Sequence, residues 1–195
     1  QSRFYWAPEI ILGIPYTHSI DMWSFACILA ELYTGYPLFP GENESEQIGY
    51  FMEIIGVPEI ELLWTGGWAH LFFERDGSPK YYKNSWGKVR QPKTKTLEWV
   101  LECEDEKFLD FLKKCFVWNP EERISPQQAL RHEWILDGLP PNIIVHHMNL
   151  HGIKDSELPR HIWAKVINFW KEQERSTSND LSAIETKIEI TPRTA

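Results

Sequence analysis

The most constraining feature of the sequence is a segment, residues 20–33, that is apolar on almost every side. The polar exceptions are Asp21, Ser24 and Glu31. A helix without a polar face lies inside a domain, so this segment predicts a central core helix. Ser19 is placed to cap its start, and Gly35 supplies the left-handed residue that commonly ends a helix.

Composition and charge indicate which classes of protein to exclude. The 195 residues are 43% hydrophobic, enough for one sizeable core plus a tail. A net charge of -8 argues against nucleic acid or an anionic membrane as the main partner. No apolar run approaches the roughly 18 residues of a membrane span. Three cysteines without C-x-x-C spacing suggest neither disulfides nor zinc. We expect a soluble, intracellular protein, cytoplasmic or nuclear.

Three further helices are indicated by local signals. Asn43 followed by Glu46 has the form of a capping box and opens the second helix. A third helix begins near Glu106, and a fourth has Ser125 as its N-cap with Pro126 at its first position. Between the second and third helices, about residues 57–105 form a long irregular insertion. Its four tryptophans are expected to anchor it to the helices, a peptide-binding groove being the alternative: Trp64, Trp68, Trp86 and Trp99.

Several motifs occur in one order and spacing that is far more specific than any single motif. They are Gln1-Ser2-Arg3-Phe4-Tyr5, Ala7-Pro8-Glu9, Asp21-Met22-Trp23-Ser24, Pro37-Leu38-Phe39-Pro40-Gly41, Glu122-Arg123-Ile124 and Ala129-Leu130-Arg131-His132-Glu133-Trp134. Over residues 1–136 the chain resembles the C-terminal lobe of a eukaryotic protein kinase. Within the CMGC group it is most similar to the dual-specificity tyrosine-regulated kinase (DYRK) family. The resemblance implies a mainly α-helical kinase C-lobe without the N-terminal β lobe, so we expect a C-terminal fragment of a longer polypeptide.

The resemblance also implies roles for individual residues. Glu9 and Arg123 are expected to form a buried ion pair that clamps the end of the activation segment to the helical floor. Asp21 is assigned to the same structural clamp, because the matching kinase aspartate binds backbone N–H groups of the catalytic loop. Its alternative role is to cap its own helix, where the dipole favours an anion.

The resemblance assigns substrate binding to the segment that precedes the Ala-Pro-Glu motif. In the resembled family these positions form the pocket for the residue after the phosphorylated one, so Ser2, Arg3, Phe4 and Tyr5 are the candidates. Trp6 departs from the family, which has arginine there. We therefore predict altered substrate preference or weaker activation control in the parent protein.

The catalytic elements of a kinase do not occur in these 195 residues. The Gly-rich loop, strand lysine, H-R-D loop and D-F-G motif are all missing. We predict that the parent is a serine/threonine or dual-specificity kinase that uses ATP and Mg²⁺ on protein substrates. This chain alone is expected to be inactive and to carry no catalytic or metal-binding residue. The alternatives are a non-catalytic interaction or scaffold module and a truncated product that folds poorly.

The remaining residues, 137–195, are predicted to form a partly disordered C-terminal extension. His146, His147 and His151 could lie on adjacent turns, but no acidic or cysteine partner is clustered with them, so surface histidines are expected and no metal site. One helical stripe follows, and it could dock onto the lobe or recruit a partner: Ile162, Trp163, Val166, Ile167 and Trp170. Disorder is expected from Ser176 onward.

Overall fold

The computed structural model describes residues 2–189, with side chains described as far as Arg175. The chain divides into two compact units, Gln1–Ala129 and Leu130–Ala195. The helices of the first unit are α1 Pro8–Leu12, α2 Ser19–Thr34, α3 Glu44–Ile55, α4 Ile60–Leu63, α5 Leu97–Leu101, α6 Glu106–Cys115 and α7 Pro126–Ala129. Within residues 2–189, no helix is both long and apolar enough to cross a membrane. The mainly α-helical fold is the one that the sequence predicted.

Helix α2 forms the centre of the first unit's core. Its Trp23 is fully buried and packs edge-on against Phe51 and Phe116, at ring-centroid distances of 4.7 Å and 5.1 Å. Phe39 completes this aromatic cluster, 4.9 Å from Phe51. Edge-to-face aromatic pairs add stabilisation beyond the area that they bury. The buried face of α2 therefore holds together segments that lie far apart in the sequence.

The opposite face of α2 is exposed, so the prediction of burial all round this helix is wrong for the described residues. Leu32 is 77% exposed, Tyr33 52%, Ile28 45% and Phe25 41%. Asp21, expected at a buried position, is exposed as well. The physical reason is that the described part of the first unit packs against only one side of this helix.

The ends of the helices follow local sequence signals closely. Asn43 caps α3, its Oδ1 accepting from the N–H of Glu46 at 2.9 Å. The Glu46 carboxylate in turn accepts from the N–H of Glu42 at 2.9 Å, one residue before the N-cap, where a capping box would have reached the N-cap itself. Helix α2 begins at Ser19 with His18 as its N-cap, so Ser19 is a helical residue and not the cap. Gly35 ends α2 with φ 82°, as expected.

The insertion is irregular, with one 3₁₀ turn at Ala69–Leu71 and the short helices α4 and α5. Its four tryptophans do not anchor it by burial. Their exposed fractions are 46%, 55%, 82% and 65% for Trp64, Trp68, Trp86 and Trp99. Smaller or less polar side chains are buried instead: Leu63, Ala69, Phe72, Phe73, Leu97 and Leu101.

An ion-pair cluster also fastens the insertion to α3. Arg90 donates from Nη1 to Oε2 of Glu53 at 2.8 Å and from Nη2 to Oε1 of Glu46 at 3.1 Å. All three side chains are at least nine-tenths buried, and the guanidinium stacks 3.3 Å from the ring centroid of Tyr50. Burial by itself raises the pKa of Glu46, but hydrogen bonds from the Glu42 N–H, Asn84 and Arg90 outweigh it and hold that pKa below its usual value.

The second unit contains α8 Glu133–Gly138, α9 Pro141–His151 and α10 Arg160–Glu189. Two residues of the predicted stripe, Ile162 and Val166, are fully buried within this unit. Their neighbours in the cluster are Leu136, Ile144, Met148, Ile153 and Leu158. Leu136 thus belongs to the second unit's core, although the sequence placed the boundary just after it. The predicted disorder begins at Ser176, where side chains are no longer described, and residues 190–195 lie outside the described residues. The disorder therefore stays a prediction.

Candidate substrate-binding segment and its clamp

The predicted substrate-binding segment is held in a tight turn. Arg3–Tyr5 form a single 3₁₀ turn, in which the N–H of Tyr5 donates to the carbonyl of Ser2 at 3.2 Å. The N–H of Trp6 closes the turn by donating to the carbonyl of Arg3 at 3.0 Å. Ser2 is exposed and Phe4 is half-buried. Pro8, at the first position of α1, then starts a new helix where its missing N–H costs nothing.

Arg3 joins this turn to the loop that leads into α3. Its Nη1 donates to the carbonyl of Glu42 at 2.8 Å and to that of Gly41 at 3.4 Å. Its Nε is buried and has no hydrogen-bond partner among the described residues. Arg3 also lines an open cavity of about 430 Å³, shared with residues from the N-cap and first turn of α3 and from the insertion: Asn43, Glu44, Ser45, Leu71, Phe72 and Tyr82.

Tyr5 is held by two polar residues of α2. Its hydroxyl donates to Oε2 of Glu31 at 2.6 Å, and its carbonyl accepts from Oγ of Ser24 at 2.7 Å. The hydrogen bond to the Glu31 carboxylate, assisted by burial, raises the pKa of Tyr5 above its ordinary value. Sequence reasoning missed these partners, but a signal existed. Ser24 and Glu31 are two of the three polar residues in an apolar helix, and their spacing of two turns puts them on one face.

Glu9 and Arg123 lie together at the base of this segment. Nη1 of Arg123 donates to Oε1 of Glu9 at 2.6 Å, and Nη2 donates to Oε2 at 2.8 Å. Both side chains are completely buried. This is the bidentate geometry that a guanidinium and a carboxylate favour, and it fixes orientation as well as distance.

The other donors of Arg123 are also satisfied. Nη1 donates to the carbonyl of Ser19 at 2.9 Å, while Nη2 and Nε donate to the carbonyl of Val117 at 3.0 Å and 3.2 Å. The guanidinium carbon lies 5.2 Å from the ring centroid of Trp23. A buried charge is tolerated only when its hydrogen bonds are made, and here every N–H has a partner. Arg123 therefore ties α1, the start of α2 and the segment after α6 to one point.

Asp21 is not brought into this clamp. Its carboxylate is exposed in the first turn of α2, where the helix dipole favours an anion. No hydrogen bond or ion pair of that carboxylate is formed with any residue that the structure describes. The predicted contact with a catalytic loop stays a prediction, because no such loop is part of this sequence.

The fold, the clamp and the order of the motifs together define a class of protein. The protein kinase domain family model matches residues 1–135, and the chain belongs to this family. Its relatives include the human dual specificity tyrosine-phosphorylation-regulated kinase 4, which is 54% identical over 135 residues. The corresponding kinase 2 of Drosophila melanogaster is 49% identical over 135 residues. The rat kinase 3 of the same name is 44% identical over 158 residues. The resemblance to the DYRK family is thereby confirmed.

The matches cover most of this chain but a small part of each relative. They include 69% of the chain for the human and fly proteins and 72% for the rat protein. In the other direction, the chain spans 26% of the human, 19% of the fly and 27% of the rat protein.

Protein kinases generally use ATP and Mg²⁺, which they hold with a Gly-rich loop, a strand lysine and metal-binding Asp and Asn side chains. Among the side chains described, no three His, Cys, Asp or Glu residues are grouped as a metal ion requires. The sequence also lacks the loops that bind phosphate and magnesium in kinases. The residues that the structure describes therefore do not fit a nucleotide–magnesium site.

Proposed function

We propose that this chain is the substrate-binding floor of an ATP-dependent protein serine/threonine or dual-specificity kinase. The observation that carries the proposal is the position of Arg3, which is fixed by two carbonyls beside an open cavity while Glu9 and Arg123 clamp the adjoining helix. The family match over residues 1–135 supports it. The partner is a protein substrate, and the expected location is the cytoplasm or nucleus.

Ser2, Arg3, Phe4 and Tyr5 are proposed to contact the substrate next to its phosphorylated residue. The 3₁₀ turn supports this role, because it holds the four residues in one orientation without a substrate being present. Tyr5 is held at its hydroxyl by Glu31 and at its carbonyl by Ser24. Ser2 is exposed, Phe4 is half-buried and Arg3 lines the open cavity, so these three are the accessible members.

Catalysis is proposed to need residues outside this chain. The strand lysine, the H-R-D loop and the D-F-G aspartate supply the chemistry in kinases, and none is present here. We infer that the chain alone neither binds ATP through those elements nor transfers phosphate. ATP and Mg²⁺ are proposed as cofactors of the whole kinase only.

Trp6 is proposed to alter substrate preference or activation control in the parent kinase. An indole cannot form an ion pair with a phosphate or carboxylate, whereas the arginine of related kinases can. In the parent kinase we expect Trp6→Arg to change the preference for the residue after the phosphorylated one, or to change activation-loop phosphorylation. A peptide-library profile and a phosphorylation level that both stay the same would overturn this proposal.

A non-catalytic interaction or scaffold module is the second candidate. The observation that favours it is the exposure of Trp64, Trp68, Trp86 and Trp99 on the insertion, since tryptophans are enriched in protein interfaces. Upstream sequence separates the two candidates. Intact lysine, H-R-D and D-F-G elements favour the enzyme, and their loss favours the scaffold.

The experiment compares the parent protein with this chain in a phosphate-transfer assay on a peptide library. We expect transfer by the parent and none by the chain. In the parent, Arg3→Ala should reduce kcat/KM for peptides while leaving ATP hydrolysis in their absence unchanged. Arg75→Ala, at an exposed insertion residue that does not line the cavity beside Arg3, is the matched control. If the parent protein transfers no phosphate, the proposal that it is a kinase is wrong. If the Arg3 variant has the same kcat/KM for peptides as the control variant, the proposed substrate-binding role of Arg3 is wrong.

A further inference from the structure

A second cavity in the first unit has a volume of about 630 Å³. It shares no lining residue with the cavity beside Arg3. It lies between the C-terminal end of α3, the start of α4, the end of the insertion and the segment that follows α6. Its walls include apolar side chains from each of these parts: Ile54, Val57, Leu62, Leu97, Phe116 and Trp118. Cavities of about 300 to 1,000 Å³ with mostly apolar walls are typical small-molecule sites.

Most of the charged groups around this cavity already have partners. Lys95 pairs with Glu53 at 3.3 Å, and Lys113 pairs with Glu98. Glu122 accepts from the side-chain amide of Asn119 at 2.9 Å. The side chains of Lys93 and Glu59 form no ion pair or hydrogen bond with the described residues. Lys93 is thus the lining cation available to a ligand, and Glu59 is the carboxylate that would oppose a second negative charge.

The position of Lys93 is set by its backbone and by a glycine. Its N–H donates to the carbonyl of Met52 at 3.0 Å, and its φ of 55° lies in the left-handed region, which is uncommon for a residue other than glycine. The aliphatic stem packs over Gly56, where an added Cβ would lie 2.7 Å from Cε of Lys93. Gly56 itself has φ 98°, so a side chain there is disfavoured twice. Lys93 thus lies at the cavity wall with its stem against Gly56, and its side chain is exposed to solvent.

We propose that this cavity binds an amphipathic monocarboxylate, with the carboxylate at Nζ of Lys93 and its hydrocarbon chain against the apolar walls. Lys93 offers one positive charge, which matches one carboxylate. Glu59, which forms no ion pair or hydrogen bond with the described residues, opposes the second negative charge of a dianion such as a phosphate monoester. The site is separate from the proposed phosphotransfer function and does not depend on it.

The test is isothermal titration of this chain with dodecanoate below its micelle concentration, with dodecylamine and dodecanol as matched ligands. We expect one dodecanoate bound per chain and weaker binding of the other two. Lys93→Glu should weaken dodecanoate binding by about tenfold or more, because it removes a charge-assisted contact and adds a repulsive one. Lys83→Glu makes the same charge change at an exposed lysine that does not line the cavity and should leave binding unchanged.

Variants that fill the cavity with a large side chain provide a second, independent test. Leu62→Trp should abolish dodecanoate binding, and Val57→Trp, at a residue that is 42% exposed, serves if the first variant does not fold. Circular dichroism establishes that each variant is folded. The proposal is overturned if dodecanoate still binds to the filling variant and to Lys93→Glu. It is also overturned if dodecylamine and dodecanol bind as tightly as dodecanoate.

Discussion

Arg123 and Glu9, 114 positions apart in the sequence, form a completely buried bidentate ion pair. The pair joins α1, which follows the proposed substrate-binding segment, to the segment between α6 and α7. Breaking a buried ion pair leaves one charge without a partner, which typically costs about 3 to 5 kcal/mol. The stability of this region therefore depends on two residues that the sequence separates widely.

We expect Arg123→Ala to reduce the free energy of unfolding by about 3 to 5 kcal/mol. The reason is that the Glu9 carboxylate stays buried without its donor. Urea denaturation followed by circular dichroism measures the change. Lys114→Ala, which removes an exposed ion pair with Asp110, is the control and should cost less than about 1 kcal/mol. An Arg123 variant as stable as this control would contradict the role of the clamp.

Tyr5 and Glu31 make a pH-dependent contribution to stability. The hydrogen bond to Glu31 raises the pKa of Tyr5 above 10.0, so the folded state keeps the phenolic proton more strongly than the unfolded state. The stabilisation is fully present below pH 10.0 and is lost as the pH rises through the folded-state pKa. NMR titration of ring-labelled tyrosine measures this pKa, with Tyr5→Phe assigning the resonance. Glu31→Gln should return the pKa toward 10.0, and a resonance that titrates unchanged in this variant would refute the contact.

Arg90 is expected to hold the insertion to α3. Arg90→Ala removes the buried guanidinium that donates to both Glu46 and Glu53 and should cost about 3 to 5 kcal/mol. Hydrogen exchange should accelerate at the amides of Lys93 and Lys95, which donate to α3 carbonyls.

The control is Lys88→Ala, at a lysine that is 51% exposed and 3.9 Å from Glu53. Its effect should be less than about 1 kcal/mol. A triple variant, Arg90→Met with Glu46→Gln and Glu53→Gln, should recover part of the lost stability, because it removes the unpaired charges. No recovery together with unchanged exchange would show that the cluster does not anchor the insertion.

The exposed face of α2 should bind an apolar dye when this chain is isolated. Leu32 of α2 is 77% exposed, Tyr33 and Ile28 of the same helix are 52% and 45% exposed, and Tyr36, just after the helix, is 76% exposed. We expect Leu32→Lys to lower the fluorescence of bound anilinonaphthalene sulfonate without lowering the melting temperature, because an exposed side chain contributes little packing. Leu150→Lys, at a leucine that is 67% exposed in the second unit, is the matched control. Equal fluorescence losses in the two variants would count against a dye site on α2.

Much of the fold could be predicted from local signals in the sequence. Gly35 ends α2, Asn43 caps α3, and α6 begins at Glu106 as expected. These features depend on residues within one turn of each other, so sequence patterns report them directly. The order of the kinase motifs added long-range information, since it suggested the pairing of Glu9 with Arg123.

The candidate site was only partly predictable, because many of its contacts join residues that are far apart in the sequence. The sequence indicated Arg3 and Tyr5 but not their partners, because contacts such as Tyr5 to Glu31 depend on how one segment crosses another. It also indicated a helix at 20–33 that is buried on every side, whereas one face of this helix is exposed. The tryptophans of the insertion are large aromatic side chains of the kind that usually anchor a loop by burial, yet the fold leaves all four of them exposed.

The sequence by itself determined the helical character, the helix ends and the kinase family of this chain, because periodicity, capping residues and motif order are properties of neighbouring positions. Only the tertiary structure decided that Asp21 is exposed, that Arg90 joins Glu46 and Glu53, and that Lys93 stands at the wall of a cavity. Such contacts depend on the packing of segments far apart in the chain, and burial and pairing are properties of that packing.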